Sequence, residues 1–200
     1  MQDQDEPELV VARRIDDPLR GRKSMLTDID VAVRVYEDMV QGWFLDFGAF
    51  LSQEKNQLLR YDDKEFSTNE AGFVTLMVGV GYLEANQQYR EGKKSTGCSE
   101  EYFLKAIKRL FDLSKSEEET VKKVYSELRC GLFHDGMTRS RVLLGDYSEP
   151  FHISGEMIKI NPKKFFRTVQ TDFNQYITDL KNENEKDKRE AFLRRWKLSG

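Results

Sequence analysis

The sequence predicts a mainly α-helical chain, an up-and-down bundle of four to five helices with a small β-hairpin inserted before the last long helix. Three observations carry this reading. Apolar residues recur at three- and four-residue steps through most of the chain, which is the period of a helical face. Charged residues make up 34% against about 25% in an average soluble protein, and hydrophobic residues only 38%, the balance of long, half-solvated helices. One stretch, "RVLLGDYSEPFHISGEMIKI", changes period: short apolar runs are broken by Gly145, Asp146, Pro150 and Gly155, as in two or three small strands. Two hundred residues suit one domain with a core, so the expected division is an arm at 1–24, a bundle domain at 25–180 and a charged helical extension at 181–200.

Taken in order, residues 1–24 are polar, carry Pro7 and Pro18, and turn from acidic to basic, which predicts a loosely ordered arm. Thr27-Asp28 reads as a helix N-cap. Beyond it Ile29, Ala32, Tyr36, Met39, Val40, Trp43, Phe44, Phe47, Phe50 and Leu51 form one apolar face of a first long helix. A polar loop over "KNQLLRYDDKEFSTNE" leads to a second helix, capped by Ser67 or Thr68 and ending near Tyr89, with Phe73, Leu76, Met77, Val80 and Leu83 inward. Gly79 and Gly81 in "GVGY" lack the preceding strand and the third glycine of a nucleotide loop, so close helix packing is the better reading. Ser99 is read as the cap of a short third helix with Phe103, Ile107, Leu110 and Phe111 inward.

"SKSEEET" opens a fourth helix with acids at the positive end of its dipole. Its seam is Val121, Val124, Tyr125, Leu128 and Leu132, and Gly136 stands just past its C-terminus. After the strands, Asn161-Pro162 is a cap followed by a first-turn proline, and Phe165, Phe166, Val169, Phe173, Tyr176, Ile177 and Leu180 line a fifth helix. "KNENEKDKRE" mixes signs as a solvated face does. Ala191, Phe192 and Trp196 can dock a last turn, or the flanking charges can leave it frayed.

Composition excludes several function classes. A net charge of −3 creates no global field toward nucleic acid, so any anion site must be local. Cys98 and Cys130 are too few for a disulfide framework and have no partner at metal-ligand spacing, so neither a metal nor a cofactor is expected. The N-terminus has no apolar signal region. The longest apolar run, Val74 to Val80, is far short of the roughly 20 residues of a membrane span. A cytoplasmic protein without a membrane role is expected.

The chemistry concentrates in "SELRCGLFHDGMTR". On an α-helix centred on Leu128, Arg129 lies about 100° to one side and His134 about 120° to the other, so the two cannot serve one small site within one chain. Ser126, Cys130 and Phe133, at i, i+4 and i+7, face away from the core. A large aromatic there calls for a second surface, most simply a two-fold copy of the same helix. The three residues are therefore the expected seam of a homodimer, which would let Arg129 of one chain approach His134 of the other.

Arg129-Cys-Gly-Leu-Phe-His134 resembles the R-x(4–6)-H motif of the HEPN superfamily. The order of a long first helix, a motif at the end of a late helix, a small hairpin and a closing helix resembles plasmid- or prophage-borne HEPN proteins over about residues 28–180. The resemblance implies a metal-independent endoribonuclease, a toxin or phage-defence effector, in which Arg129 and His134 act on the scissile phosphate and 2′-OH of RNA across the dimer cleft. The residue types suit those roles: arginine presents a fixed fork of donors to a phosphate, and histidine exchanges protons near neutrality. Many members carry a polar residue directly after the motif arginine, where this chain has Cys130. That departure favours a second expectation, an inactive HEPN-like module binding RNA or a partner. A cognate antitoxin or a nucleotidyltransferase is the kind of protein partner implied.

Plainer roles stand beside these. His134 can cap the last helix carbonyls, and Arg129 can pair with Glu127 or with an acid on another helix. Arg139 and Arg141, just after the motif, are either phosphate contacts for RNA or solvated loop cations. Cys130 is read as a small interface residue, not a nucleophile, because no base is spaced to activate it. His152 is read as structural.

Overall fold

Asp28 starts the first helix as expected: its Oδ1 accepts from the backbone N–H groups of Asp30 at 2.9 Å and Val31 at 3.2 Å. The computed structural model describes residues 28–52, 58–61, 64–67, 71–113, 116 and 118–198. The predicted arm, Thr27 and Thr68 lie outside the described residues. Helix α1 (Ile29–Val40) runs without interruption through a π-helical turn at Gln41–Leu45 into α2 (Asp46–Leu51). That turn corrects the single apolar face read from the sequence. An i→i+5 turn, seen in the Asp46 N–H bonding to the Gln41 carbonyl, shifts the register of everything after it. Ala32, Val33, Tyr36, Leu45 and Leu51 are buried, while Trp43, Phe44 and Phe47 are exposed.

The segment read as a polar loop contains a hairpin, β1 (Leu58–Tyr61) paired antiparallel with β2 (Lys64–Ser67). Ser67 therefore belongs to a strand, and the cap position of the next helix is Ala71. The second long helix, α3 (Gly72–Glu91), begins later than expected, and Phe73 in its first turn is exposed. Leu76, Val80 and Leu83 are buried as read, but so are Thr75, Tyr82, Asn86, Gln87 and Tyr89, because α3 is packed against helices on several sides. A Cβ on Gly79 would stand 3.1 Å from the Phe165 ring, so the "GVGY" glycine is a packing residue.

Helix α4 (Ser99–Leu110) follows, then α5 (Glu118–Val124), which continues directly into a second π-helical segment, Tyr125–Asp135. A three-stranded sheet replaces the simple hairpin. Strand β5 (Met157–Ile160) lies in its centre, parallel to β3 (Val142–Leu144) and antiparallel to β4 (Phe151–Ser154). Its inner residues Val142, Phe151, Ile153, Ile158 and Ile160 join the core, and Phe151 stacks on Phe111 at 5.0 Å. Asn161 caps α6 (Pro162–Lys181) through its Oδ1, which accepts from the Lys164 N–H at 3.1 Å. Every apolar residue read for this helix is buried.

The charged C-terminal segment is docked. In α7 (Lys186–Lys197) Trp196 and Phe192 are fully buried, with ring centroids 5.8 Å apart, and Phe192 stacks on Tyr89 of α3 at 5.5 Å. Three aromatics thus outweigh a strongly polar helix.

Asp172 of α6 gathers three partners: Arg90 at 3.0 Å, Arg109, and the Tyr82 hydroxyl at 3.3 Å. A carboxylate this secluded requires such neutralisation. Burial pushes the phenols of Tyr36, Tyr82 and Tyr176 above the ordinary tyrosine range, so they remain neutral in this region. Among the described residues no helix is long and apolar enough to cross a membrane.

Replacing Trp196 by Ala should lower the unfolding free energy by about 3–5 kcal/mol in urea titration, the usual cost of emptying a large aromatic site. An unchanged midpoint would show that α7 contributes nothing to the core.

Candidate functional site

The motif lies wholly within the second π segment. Eleven residues of i→i+5 helix far exceed the single-turn bulge in which this geometry is ordinarily found. Neighbours along one side of an α-helix are three and four residues apart. Closing each ring one residue later moves that register to four and five. Tyr125, Arg129 and Phe133, spaced four apart, remain one row in this geometry, and the Arg129 guanidinium carbon sits 5.6 Å from the Tyr125 ring centre and 5.2 Å from that of Phe133. His134, one π turn after Arg129, is carried toward the same side. This corrects the separation of Arg129 and His134 onto opposite flanks, which assumed 100° per residue.

Arg129 is mostly covered, its side chain 24% exposed, and its Nη2 lies 3.4 Å from Glu84 Oε2 on α3. Of the plainer roles read for it, the acid on another helix is the one observed. Glu127 is occupied elsewhere: its Oε2 accepts from the backbone N–H of Arg141 at 3.3 Å. Glu84 is itself held, because the Ser95 hydroxyl donates to Oε1 at 2.7 Å. Sequence reading missed both Glu84 and Ser95. The only hint was a polar residue beside Leu83 in a helix that is buried nearly all round.

The helix ends where it was expected to. Gly136 adopts φ 72°, its N–H bonds back to the Gly131 carbonyl, and His134 is left exposed in the last turn without an ion pair to a described residue. The chain then folds back along the helix. Arg139 N–H donates to the Glu127 carbonyl at 3.0 Å, and the sheet anchors the far end through Ile158 N–H to the Arg141 carbonyl at 2.8 Å. Gly131 permits this return: a Cβ there would stand 2.7 Å from the Met137 carbonyl oxygen and 3.1 Å from the Arg139 nitrogen.

The remaining predicted residues are placed unevenly. Arg139 lies beside the helix end but pairs with Asp135 at 2.8 Å, and Arg141 pairs with Glu156 at 3.1 Å, so both cations are already matched by acids. Ser126 is half-buried and spends its hydroxyl on the Lys123 carbonyl at 3.0 Å. Cys130 is a half-buried free thiol in contact with Tyr125, whose phenol burial raises above its ordinary range. Phe133 is exposed and reaches Gly81 on α3, where a Cβ would lie 3.6 Å from its ring. Within a π segment these three do not share the straight i, i+4, i+7 line of an α-helix: Phe133 belongs to the row of Arg129. His152 pairs with Glu149 at 3.0 Å on the exposed side of β4. Among the described residues no cluster of three or more His, Cys, Asp or Glu could hold a metal ion.

Comparison of the chain with family models, with curated proteins and with solved structures finds no match in any of the three. The chemistry of the helix end therefore rests on its own residues.

Gly131→Ala should destabilise the protein by about 1–3 kcal/mol, since the Cβ would meet backbone rather than a movable side chain. Urea denaturation measures this, and a neutral result would mean that the loop does not return over the helix as described.

Proposed function

We propose that this helix end is half of a HEPN-type endoribonuclease site, completed by a second copy of the chain. The observation that carries the reading is the widened turn, whose longer period supports an arginine with spare donors and an exposed histidine sharing one side of one helix terminus. An RNA phosphodiester is the substrate class that uses both groups. The ribose 2′-oxygen attacks the adjacent phosphorus as its proton passes to an imidazole. The bond from phosphorus to O5′ then breaks, and the leaving oxygen takes a proton from an imidazolium. A 2′,3′-cyclic phosphate and a free 5′-hydroxyl result. In a dimer the two copies of His134 can divide the base and acid roles, while Arg129 stabilises the charge that builds on the phosphoryl oxygens. Phe133, exposed and large, supports the two-fold contact, with Ser126 and Cys130 as further seam residues.

One observation favours a second reading. Glu84 already balances Arg129, and Cys130 follows it, which suits an inactive module that binds RNA or a protein partner such as an antitoxin or a nucleotidyltransferase. The two readings part on cleavage. Purified protein in EDTA should cut labelled single-stranded RNA to cyclic-phosphate ends, and Arg129→Ala or His134→Ala should each slow cutting at least about 100-fold. Equal cutting by all three proteins would remove the assignment, and binding without cutting by the wild type would select the module.

The seam has its own measurement. Phe133→Asp should halve the mass seen in light scattering and abolish cleavage with it; an unchanged mass would place the interface elsewhere.

A further inference from the structure

Glu84 can be read as quenching Arg129 or as aiming it, and the two differ in what they leave the guanidinium free to do. Arginine has five N–H donors in a rigid plane. Among the described residues Arg129 commits one nitrogen, Nη2, to Glu84 at 3.4 Å, and its guanidinium carbon lies 5.6 and 5.2 Å from the Tyr125 and Phe133 ring centres. Two rings flank it and one carboxylate orients it. The remaining donors are uncommitted. A carboxylate that served merely as a counter-ion would not itself need fixing. Glu84, however, is only 16% exposed, and its other oxygen accepts the hydroxyl of Ser95, a residue 8% exposed in the loop that joins α3 to α4. The chain Ser95, Glu84, Arg129 thus crosses from a loop through the central helix to the motif, with a defined bond at each step.

We infer that Glu84 is the positioning residue of the site: held by Ser95, it fixes the Arg129 guanidinium so that the free edge of its fork meets an RNA phosphate. This rests on the ribonuclease reading above, and it adds a residue from a different helix, 45 positions earlier in the chain. Glu84 touches neither RNA nor the reacting atoms. It acts through Arg129 alone.

A double-mutant cycle tests it. Cleavage rates are measured for wild type, Glu84→Ala, Arg129→Ala and the double variant, with circular dichroism and thermal midpoints as controls of folding. Glu84→Ala should lower kcat and kcat/KM together, by up to about 100-fold, the scale of loss when a catalytic group is misplaced by about 1 Å. The double variant should be no slower than Arg129→Ala, because a residue acting only through Arg129 has nothing left to position. Glu84→Gln, whose amide oxygen still accepts from Nη2, should recover most of the rate. Additive losses, or a Glu84→Ala protein that cuts as fast as wild type or faster, would overturn the inference.

If wild type does not cut RNA, the ribonuclease reading fails separately, and the same cycle is read on the Kd for a 2′-O-methyl RNA that cannot be cleaved. Glu84→Ala should then weaken binding only where Arg129 is present; additive weakening, or no binding by any of the four proteins, overturns the positioning role as well. Should Glu84→Ala fail to fold, Ser95→Ala removes a single hydroxyl and should give a smaller loss in the same direction, and a full wild-type rate would count against the chain.

Discussion

The i→i+5 hydrogen bonding of Tyr125–Asp135 is the constraint on which the rest of the site depends. In an α-helix the motif arginine and histidine diverge by more than a third of a turn. One extra residue per ring turns them toward one side, while Arg129 keeps Tyr125 and Phe133 as its neighbours four residues away. Such a register is intrinsically unfavourable over eleven residues, so it must be held from outside. The return of the chain over Gly131 supplies that hold: Arg139 N–H takes the Glu127 carbonyl, Met137 N–H takes the Gly131 carbonyl, and strand β3 leaves immediately afterwards, locked to β5. The small sheet is therefore part of the site's support, although none of its residues belongs to the motif.

The central helix α3 supplies the other half of the support. It contacts the motif segment itself as well as α4 and α6, and it carries polar side chains inward, most of which find partners. Asn86 bonds Arg90, Gln87 bonds Glu91, and Tyr82 and Arg90 converge on Asp172. Glu84 belongs to the same helix, one turn from Gln87, but its partners are Ser95 and Arg129. A fixed polar ladder along α3 thus ties the bundle's interior to the guanidinium at its edge.

Much of this fold is legible in the sequence, and its limits have a physical origin. Asp28, Asn161-Pro162 and Gly136 mark helix ends through local chemistry that no tertiary contact overrides, and α6 keeps an undisturbed period of 3.6 residues. Periodicity fails at the two π segments. Each contains a glycine, Gly42 and Gly131, where a helix is least costly to deform, but a glycine does not announce which way it will be used. An α-helical wheel drawn over the whole stretch turns Trp43, Phe44 and Phe47 inward, whereas the α register ends at Val40 and all three are exposed. For the site, residue types and location were readable. The pairing of Arg129 with Glu84 was not, because it joins two helices through side chains that carry no mutual spacing in the chain.

That pairing bears on how the proposed reaction would be driven. A phosphodiester and a carboxylate each carry one negative charge, so an RNA phosphate arriving at Arg129 meets a cation already balanced, and little ground-state binding is gained. As the 2′-oxygen attacks, the phosphoryl oxygens acquire further charge. In a partly buried site, a unit charge about 4 Å from a guanidinium is worth about 4 kcal/mol at an effective dielectric constant near 20. The charge that develops during attack is therefore what Arg129, held in place by Glu84, stabilises beyond the ground state, and interactions that strengthen only in the transition state are those that raise kcat. An ion pair that looks like neutralisation in the resting protein is, on these terms, compatible with catalysis.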